Sequence, residues 1–148
     1  MKDRSAVCRE TSHAGPRRRV YPGNVTIRVL LVDDDDDIRF LMRKALERVS
    51  PPLFTVAESD SGEDALSQIG HIDPAVVVLD EMMPGLSGVQ TAERILQHRP
   101  AQTIVMCSAR LDDGFRERAT LAGVSDFVDK GDIRLLGPLL QAVMERSD

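Results

Sequence analysis

The 148-residue chain is 42% hydrophobic and 29% charged, which is the size and balance of a single soluble globular domain. Its charge is uneven, because residues 1–24 carry six basic and two acidic side chains, a net charge of +4, whereas residues 25–148 carry 13 basic and 22 acidic ones, a net charge of −9. The acidic body excludes nucleic acid and anionic membranes as partners of the folded part, because both are bound through Lys and Arg.

Residues 1–24 are predicted to be a disordered basic leader, and residues 25–148 the folded domain. The leader contains Arg17-Arg18-Arg19 and no periodic apolar pattern that would offset the entropy of ordering it. A nucleic-acid-binding arm and a start codon placed too early are the alternatives. No stretch has the roughly 18 consecutive apolar residues of a membrane span, and Cys8 and Cys107 lack a metal-binding spacing. A cytoplasmic protein with free thiols is therefore expected.

From Val25 onward, short apolar runs alternate with amphipathic stretches. Strands are predicted at residues 27–32, 53–57, 75–79, 103–107 and 125–128. Helices are predicted along a face from Ile38 to Val49, from Ser61 with Asp64 in a capping position, at about 89–97, at about 113–122, and from Leu135 or Leu136. Five strands that alternate with five helices predict an α/β fold, with a parallel sheet covered by helices on both faces.

Acidic residues follow two of the predicted strands. The run from Asp33 to Asp37 comes directly after the first strand, and Asp80 comes directly after the third. Asp35 to Asp37 suit the start of a helix, where carboxylates are favourable. Asp33, Asp34 and Asp80 should instead converge at the carboxyl edge of the sheet, where three carboxylates repel one another unless a cation compensates them. Hard oxygen ligands predict Mg²⁺, with Mn²⁺ as the alternative metal.

Two more strand ends carry groups that suit a phosphoryl ligand. Ser108 follows the fourth strand and offers a hydroxyl, and Lys130 follows the fifth and offers an ammonium. Taken singly, the serine would be a turn former and the lysine a solvated side chain. Their joint occurrence beside the acidic residues predicts a phosphoryl site.

Four segments carry a resemblance to a known family: RVLLVDDDDDIR at residues 28–39, VVLDEMMPGLSG at 77–88, VMCSA at 105–109 and DFVDK at 126–130. With them the chain resembles the response-regulator receiver family over about residues 27–146. The resemblance implies a flavodoxin-like, doubly wound fold with five parallel strands in the order 2-1-3-4-5 and five helices. It also implies a phosphorelay signalling switch, and not an enzyme that turns over an external substrate.

The resemblance assigns roles to the acidic site. Asp80 would be the phosphoacceptor and a metal ligand. Asp34 would be a direct ligand of Mg²⁺, Asp33 a ligand through water, and the backbone carbonyl of Met82 a further ligand.

The resemblance also implies how the signal is received and passed on. Ser108 and Lys130 would contact the phosphoryl group, and Ser108 and Phe127 would form the switch that reports its arrival. The donor would be a sensor histidine kinase or a histidine phosphotransfer protein. The output would reach an unknown downstream protein through the face of the fourth helix, fifth strand and fifth helix, from a monomer or a phosphorylation-linked dimer.

The chain departs from the family at Lys130-Gly131-Asp132, where many members have Lys-Pro. Gly131 is expected to supply an unusual backbone conformation, and Asp132 is expected to cap the segment after it. We expect a stand-alone receiver. The alternatives are a receiver cut from a larger regulator or hybrid kinase, and an interaction module that is never phosphorylated. A metal-dependent phosphatase is disfavoured, because it would carry a second Asp where this chain has Met82.

Overall fold

The computed structural model describes residues 26–49 and 53–146, and a parallel sheet of five strands lies at its centre. The strands are β1 (Ile27–Val32), β2 (Phe54–Ser59), β3 (Val76–Leu79), β4 (Thr103–Ser108) and β5 (Asp126–Asp129). They lie in the order 2-1-3-4-5, which confirms the predicted topology. The predicted leader, residues 1–24, lies outside the described residues.

Five α-helices connect the strands: α1 (Asp36–Glu47), α2 (Gly62–Ile72), α3 (Gly88–His98), α4 (Asp113–Ala122) and α5 (Leu136–Arg146). The first four begin at an Asp or Ser side chain that accepts hydrogen bonds from backbone N–H groups of the first turn. These caps are Asp35, Ser61, Ser87 and Asp112. The acidic helix start at Asp35 to Asp37 and the cap at Ser61 are therefore confirmed.

Helices cover both faces of the sheet. On one face, strand residues such as Leu31 and Val78 pack against α1 and α5, and on the other, residues such as Leu30 and Leu79 pack against α2, α3 and α4. All of β3 is fully buried, as its uninterrupted apolar run predicts. This double cover leaves the carboxyl edge of the strands as the place where polar side chains of different loops meet.

The segment after β5 differs from its prediction. Lys130–Leu135 forms a 3-10 helix, and α5 begins only at Leu136, so that Pro138 lies in its first turn as expected. The prediction that Asp132 acts as a cap is wrong: Asp129 Oδ1 accepts a hydrogen bond of 2.7 Å from Gly131 N, and Asp132 lies inside the 3-10 helix. Gly131 does not have a positive φ, so the expected unusual conformation is also not found.

Several predicted boundaries differ by one residue, and the ends of β2 and α1 differ by two. β2 extends to Ser59, because all six of its residues pair in register with β1, from Ile27 with Phe54 to Val32 with Ser59. α1 ends at Glu47, so Val49 lies beyond the helix, although its side chain still packs on the core. The predicted stop at Pro51-Pro52 lies outside the described residues.

Gly88, the first residue of α3, is expected to tolerate no larger side chain. An added Cβ would collide with the backbone carbonyl oxygen of Asp80 and lie 2.7 Å from Met106 Cε. Gly88→Ala should therefore lower the free energy of unfolding by about 1 to 3 kcal/mol. Gly70→Ala is the matched control, because nothing lies within 4 Å of its added Cβ, and it should raise that free energy by up to about 1 kcal/mol. Urea unfolding followed by circular dichroism measures both changes; equal effects would contradict the packing described.

Candidate functional site

The carboxyl ends of β1 and β3 bring three carboxylates together. The two strands are neighbours in the sheet, with Val32 paired to Leu79, and Asp33 and Asp80 are the residues that follow them. One carboxylate oxygen from each of Asp33, Asp34 and Asp80 lies within 4.8 Å of the other two. Asp33 and Asp80 are buried, whereas Asp34 is exposed. The predicted cluster is thus formed, with one side open to solvent.

Lys130 is the cation of this cluster. Its Nζ lies 2.9 Å from Asp33 Oδ2 and 3.2 Å from Asp80 Oδ1. One ammonium therefore faces three carboxylates, which leaves a net charge of −2 at the site when all four groups are ionised. Such an excess of negative charge in a largely buried place favours the binding of a further cation.

The oxygen atoms of Asp33 show where a metal ion fits. Asp33 Oδ1 accepts a hydrogen bond of 2.9 Å from the backbone N–H of Asp35. Asp33 Oδ2 is buried and, apart from its ion-pair contact with Lys130, accepts no hydrogen bond from the described residues. This oxygen lies beside the carboxylates of Asp34 and Asp80. Together they form a set of hard oxygen ligands, which Mg²⁺ prefers, and a metal ion would supply the missing partner of the buried oxygen. The residues present therefore fit this metal.

The electrostatic surroundings shift two pKa values. Burial, and after it the charge of Asp33, raise the pKa of Asp80 above its usual value, against the opposing effects of Lys130 and the Met82 backbone. Burial alone would lower the pKa of Lys130, but the carboxylates of Asp33 and Asp80 outweigh it and raise that pKa. Lys130 is thus held as an ammonium, and the charge of Asp80 is disfavoured even with Lys130 beside it.

Ser108 and Met82 lie at the same edge of the sheet. Ser108 is the fully buried last residue of β4, the strand next to β3, and its Oγ accepts a hydrogen bond of 3.2 Å from Arg110 N. The Met82 side chain is 63% exposed, so this residue can serve the site only through its backbone. The predicted roles of both residues remain predictions.

Phe127 of β5 is half-buried at the border of the core. Its ring packs edge-on against Phe115, with centroids 6.2 Å apart, and the Arg116 guanidinium lies 5.1 Å from its centroid. Both neighbours belong to α4. A movement of this ring would therefore change its contacts with α4, and the role of Phe127 as a switch residue remains a prediction.

Three residues that the sequence did not single out hold the loops of the site. Arg39 donates a hydrogen bond to the backbone carbonyl of Asp33. Glu63 Oε2 accepts a bond of 3.1 Å from Leu86 N, and Glu81 Oε1 accepts one of 2.8 Å from Val89 N. The Arg39 and Glu81 contacts are local and span six and eight residues, whereas the Glu63 contact joins residues that lie 23 apart in the chain.

Cys107 lies in β4 directly before Ser108, and we expect it to be inert in the folded protein. Its residue is 1% exposed, and burial raises the pKa of its thiol to about 12. Since the thiolate is the reactive form, Cys107 should stay unmodified by iodoacetamide at pH 8 and react fully in denaturant. Peptide mass spectrometry after alkylation measures this; rapid modification of the native chain would contradict the buried placement.

Comparison with known proteins finds a matching family model and similar sequences. Residues 29–136 match the model of the response regulator receiver domain. The chain is 33% identical over 105 residues to the response regulator GacA of Pseudomonas viridiflava, an overlap of 71% of this chain and 49% of that protein. It therefore spans about half the length of this curated relative.

Solved structures show the same fold. A LuxR-family two-component response regulator from Aurantimonas sp. SI85-9A1 superposes with a TM-score of 0.75 and 30% identity, over 81% of this chain and 86% of that one. The Thermotoga maritima response regulator DrrB does so with a TM-score of 0.73 and 27% identity, over 84% of this chain and 55% of that one.

Within residues 26–49 and 53–146, no helix has the length and apolar character needed to cross a membrane. Receiver domains are signalling switches that accept phosphoryl groups from histidine kinases and bind Mg²⁺ in an acidic pocket, and the cluster around Asp80 has the composition of such a pocket. The chain therefore belongs to the response regulator receiver domain family of two-component signalling.

Proposed function

We propose that this chain is a phosphorylation switch whose Asp80 accepts a phosphoryl group from the phosphohistidine of a sensor histidine kinase or a histidine phosphotransfer protein. The observation that carries the proposal is the meeting of Asp33, Asp34 and Asp80 with the single ammonium of Lys130. A constitutive interaction module does not need a buried cluster with an excess of negative charge. A phosphoryl site does need such a cluster, because the cluster attracts the cation that a phosphoryl group requires.

The transfer forms one bond and breaks another. A carboxylate oxygen of Asp80 attacks phosphorus, and the phosphorus–nitrogen bond of the donor breaks, with the electron pair going to the imidazole nitrogen, which takes up a proton from solvent. Lys130 already lies 3.2 Å from Asp80 Oδ1, and its ammonium balances charge on the phosphoryl oxygens. The Ser108 hydroxyl is proposed as a further contact to those oxygens. Water later hydrolyses the acyl phosphate and restores the Asp80 carboxylate.

The proposed metal ligands are Asp34 and Asp80 directly, Asp33 through water, and the backbone carbonyl of Met82. When bound, Mg²⁺ would neutralise charge on the transferred phosphoryl group, and Mn²⁺ would serve as an alternative. The buried Asp33 Oδ2 supports this assignment, since Lys130 is the partner described for it and its remaining lone pairs are free for a water on the metal.

The proposed output surface is the face of α4, β5 and α5, which would bind an unknown downstream protein as a monomer or after phosphorylation-linked dimerisation. A groove of about 460 Å³ lies on this face. Its lining includes Leu111, Arg116, Phe127, Leu135 and Leu139. Movement of Ser108 and Phe127 on phosphorylation would reshape this groove, because Phe127 lines it. A cytoplasmic receiver domain over residues 25–148, preceded by a leader, is part of the same proposal.

The proposal is tested by incubating the full chain with acetyl phosphate and weighing it intact. With Mg²⁺ we expect a gain of one phosphoryl group per chain, which decays after the donor is removed. With EDTA in place of Mg²⁺ the gain should be lost. No adduct in the presence of Mg²⁺ would contradict the proposal, and turnover of many equivalents of a phosphate ester would indicate a phosphatase instead.

A further inference from the structure

We propose that Arg39 is a positioning residue for the metal site, because it fixes the loop that carries Asp33 and Asp34 and so sets the affinity for the divalent cation. The inference rests on the proposed function. It concerns a residue of α1 that touches neither the phosphoacceptor nor the proposed metal-binding oxygens in the described contacts.

The Arg39 guanidinium joins three parts of the chain. Its Nη1 donates to the backbone carbonyl of Asp33, its Nη2 donates to the Asp36 carboxylate, and its Nε donates to Glu58 Oε1 at 2.9 Å. These partners belong to the end of β1, the first turn of α1, and β2. The Arg39 side chain is only 12% exposed, so the planar guanidinium is held as a rigid fork and not as a solvated surface charge.

As a result, nearly all polar atoms of Asp33 have a hydrogen-bond partner. Its backbone N–H donates to Ser59 O at 3.2 Å, its carbonyl accepts from Arg39, and its Oδ1 accepts from the Asp35 N–H. Oδ2 is the oxygen left to face Lys130 and a metal ion. Asp34 is the next residue, so the contacts that fix the Asp33 backbone also restrict the backbone of Asp34. Five consecutive aspartates would otherwise repel one another and favour an open loop.

Two effects of Arg39 on a bound cation have opposite signs, which makes the inference testable. As a positive charge near the site, Arg39 repels Mg²⁺, so removing the charge should tighten binding. As a clamp, Arg39 holds Asp33 and Asp34 in place, so removing it should weaken binding. We infer that the second effect dominates, because the guanidinium contacts the loop directly through the carbonyl of a proposed ligand residue.

Arg43 provides a matched control. It lies one turn further along α1, its Nη1 pairs with the other oxygen of the same Glu58, and its side chain is 34% exposed. Its described contacts are with Glu58 and the ring of Phe40. Arg43→Gln therefore removes a positive charge and an ion pair with Glu58, but no contact to the loop from Asp33 to Asp36.

The experiment is an Mg²⁺ titration of four full-length chains by calorimetry: wild type, Arg39→Gln, Arg39→Lys and Arg43→Gln. The same chains are phosphorylated with acetyl phosphate at increasing Mg²⁺. Arg39→Gln should raise the half-saturating Mg²⁺ concentration about tenfold and change the maximal rate much less. Arg39→Lys keeps the repelling charge but cannot reach all three partners, so it should also bind Mg²⁺ more weakly than the wild type. Arg43→Gln should bind Mg²⁺ as the wild type does or slightly more tightly.

Unchanged or tighter Mg²⁺ binding by Arg39→Gln would overturn the inference while leaving the proposed function intact. If Arg39→Gln does not fold, as judged by circular dichroism, Arg39→Lys carries the test, and wild-type affinity in that variant would overturn it. A wild-type chain that binds no Mg²⁺ and accepts no phosphoryl group would contradict the proposed function itself.

Discussion

Asp80→Asn is expected to abolish the phosphoryl adduct that the wild-type chain forms with acetyl phosphate and Mg²⁺. The amide has no anionic oxygen to attack phosphorus, and Asp33 is committed to Lys130 and to the Asp35 N–H. Intact mass spectrometry measures the adduct. Asp37→Asn is the matched control, because Asp37 belongs to the same acidic run but is exposed on the first turn of α1. It should form the adduct as the wild type does.

The loss should not come from unfolding, because Asp80→Asn removes a charge that the fold disfavours. Burial and Asp33 raise the folded-state pKa of Asp80, so the native state binds a proton more tightly than the unfolded state does. Without metal, wild-type stability should therefore fall as pH rises from the unfolded pKa through the folded one. Asp80→Asn should lack this part of the pH dependence of stability. The variant should therefore be at least as stable as the wild type at neutral pH in EDTA. A clearly less stable variant would contradict the charge analysis.

Lys130→Gln is expected to slow phosphorylation by acetyl phosphate about 10²- to 10³-fold at saturating Mg²⁺. The ammonium lies 3.2 Å from Asp80 Oδ1, the side chain proposed to carry the phosphoryl group. Glutamine keeps a hydrogen-bond donor, on a side chain one bond shorter, but removes the charge. Lys44→Gln is the control, since Lys44 is half-exposed and pairs with Glu47 on α1; its rate should equal that of the wild type.

Lys130→Gln should also show how strongly the stability of the fold depends on a cation beside the buried carboxylates of Asp33 and Asp80. In EDTA its free energy of unfolding should fall by about 3 kcal/mol, because Asp33 and Asp80 lose their shared partner while remaining buried. Added Mg²⁺ should restore more stability to Lys130→Gln than to the wild type. Urea unfolding with and without Mg²⁺ measures both. Equal stabilisation of the two chains by Mg²⁺ would indicate that the metal binds elsewhere.

Features encoded by neighbouring residues were predicted well from the sequence. The apolar run before Asp80 predicted a strand buried on both faces, and Ser61 predicted the cap of α2. The meeting of Asp33, Asp34 and Asp80 was predicted because the carboxyl ends of parallel strands share one edge. Each of these needs only local pattern and the topology of a doubly wound sheet.

Contacts between distant segments were not predicted. Nothing near Arg39 indicates that its guanidinium reaches Glu58, 19 residues further on, while it also donates to the nearby carbonyl of Asp33. The 3-10 helix Lys130–Leu135 was also not predicted. Asp129 and Asp132 are equally suitable caps by residue type, and the end of β5 decides that Asp129 caps.

The most direct test of the central claim is to locate the phosphoryl group. Sodium borohydride reduces an aspartyl phosphate to homoserine, so the phosphorylated chain is reduced, digested and sequenced by mass spectrometry. We predict homoserine at position 80, formed only when Mg²⁺ and acetyl phosphate are both present. Homoserine at Asp33 or Asp34, or a phosphoryl group that resists borohydride on another side chain, would contradict the account.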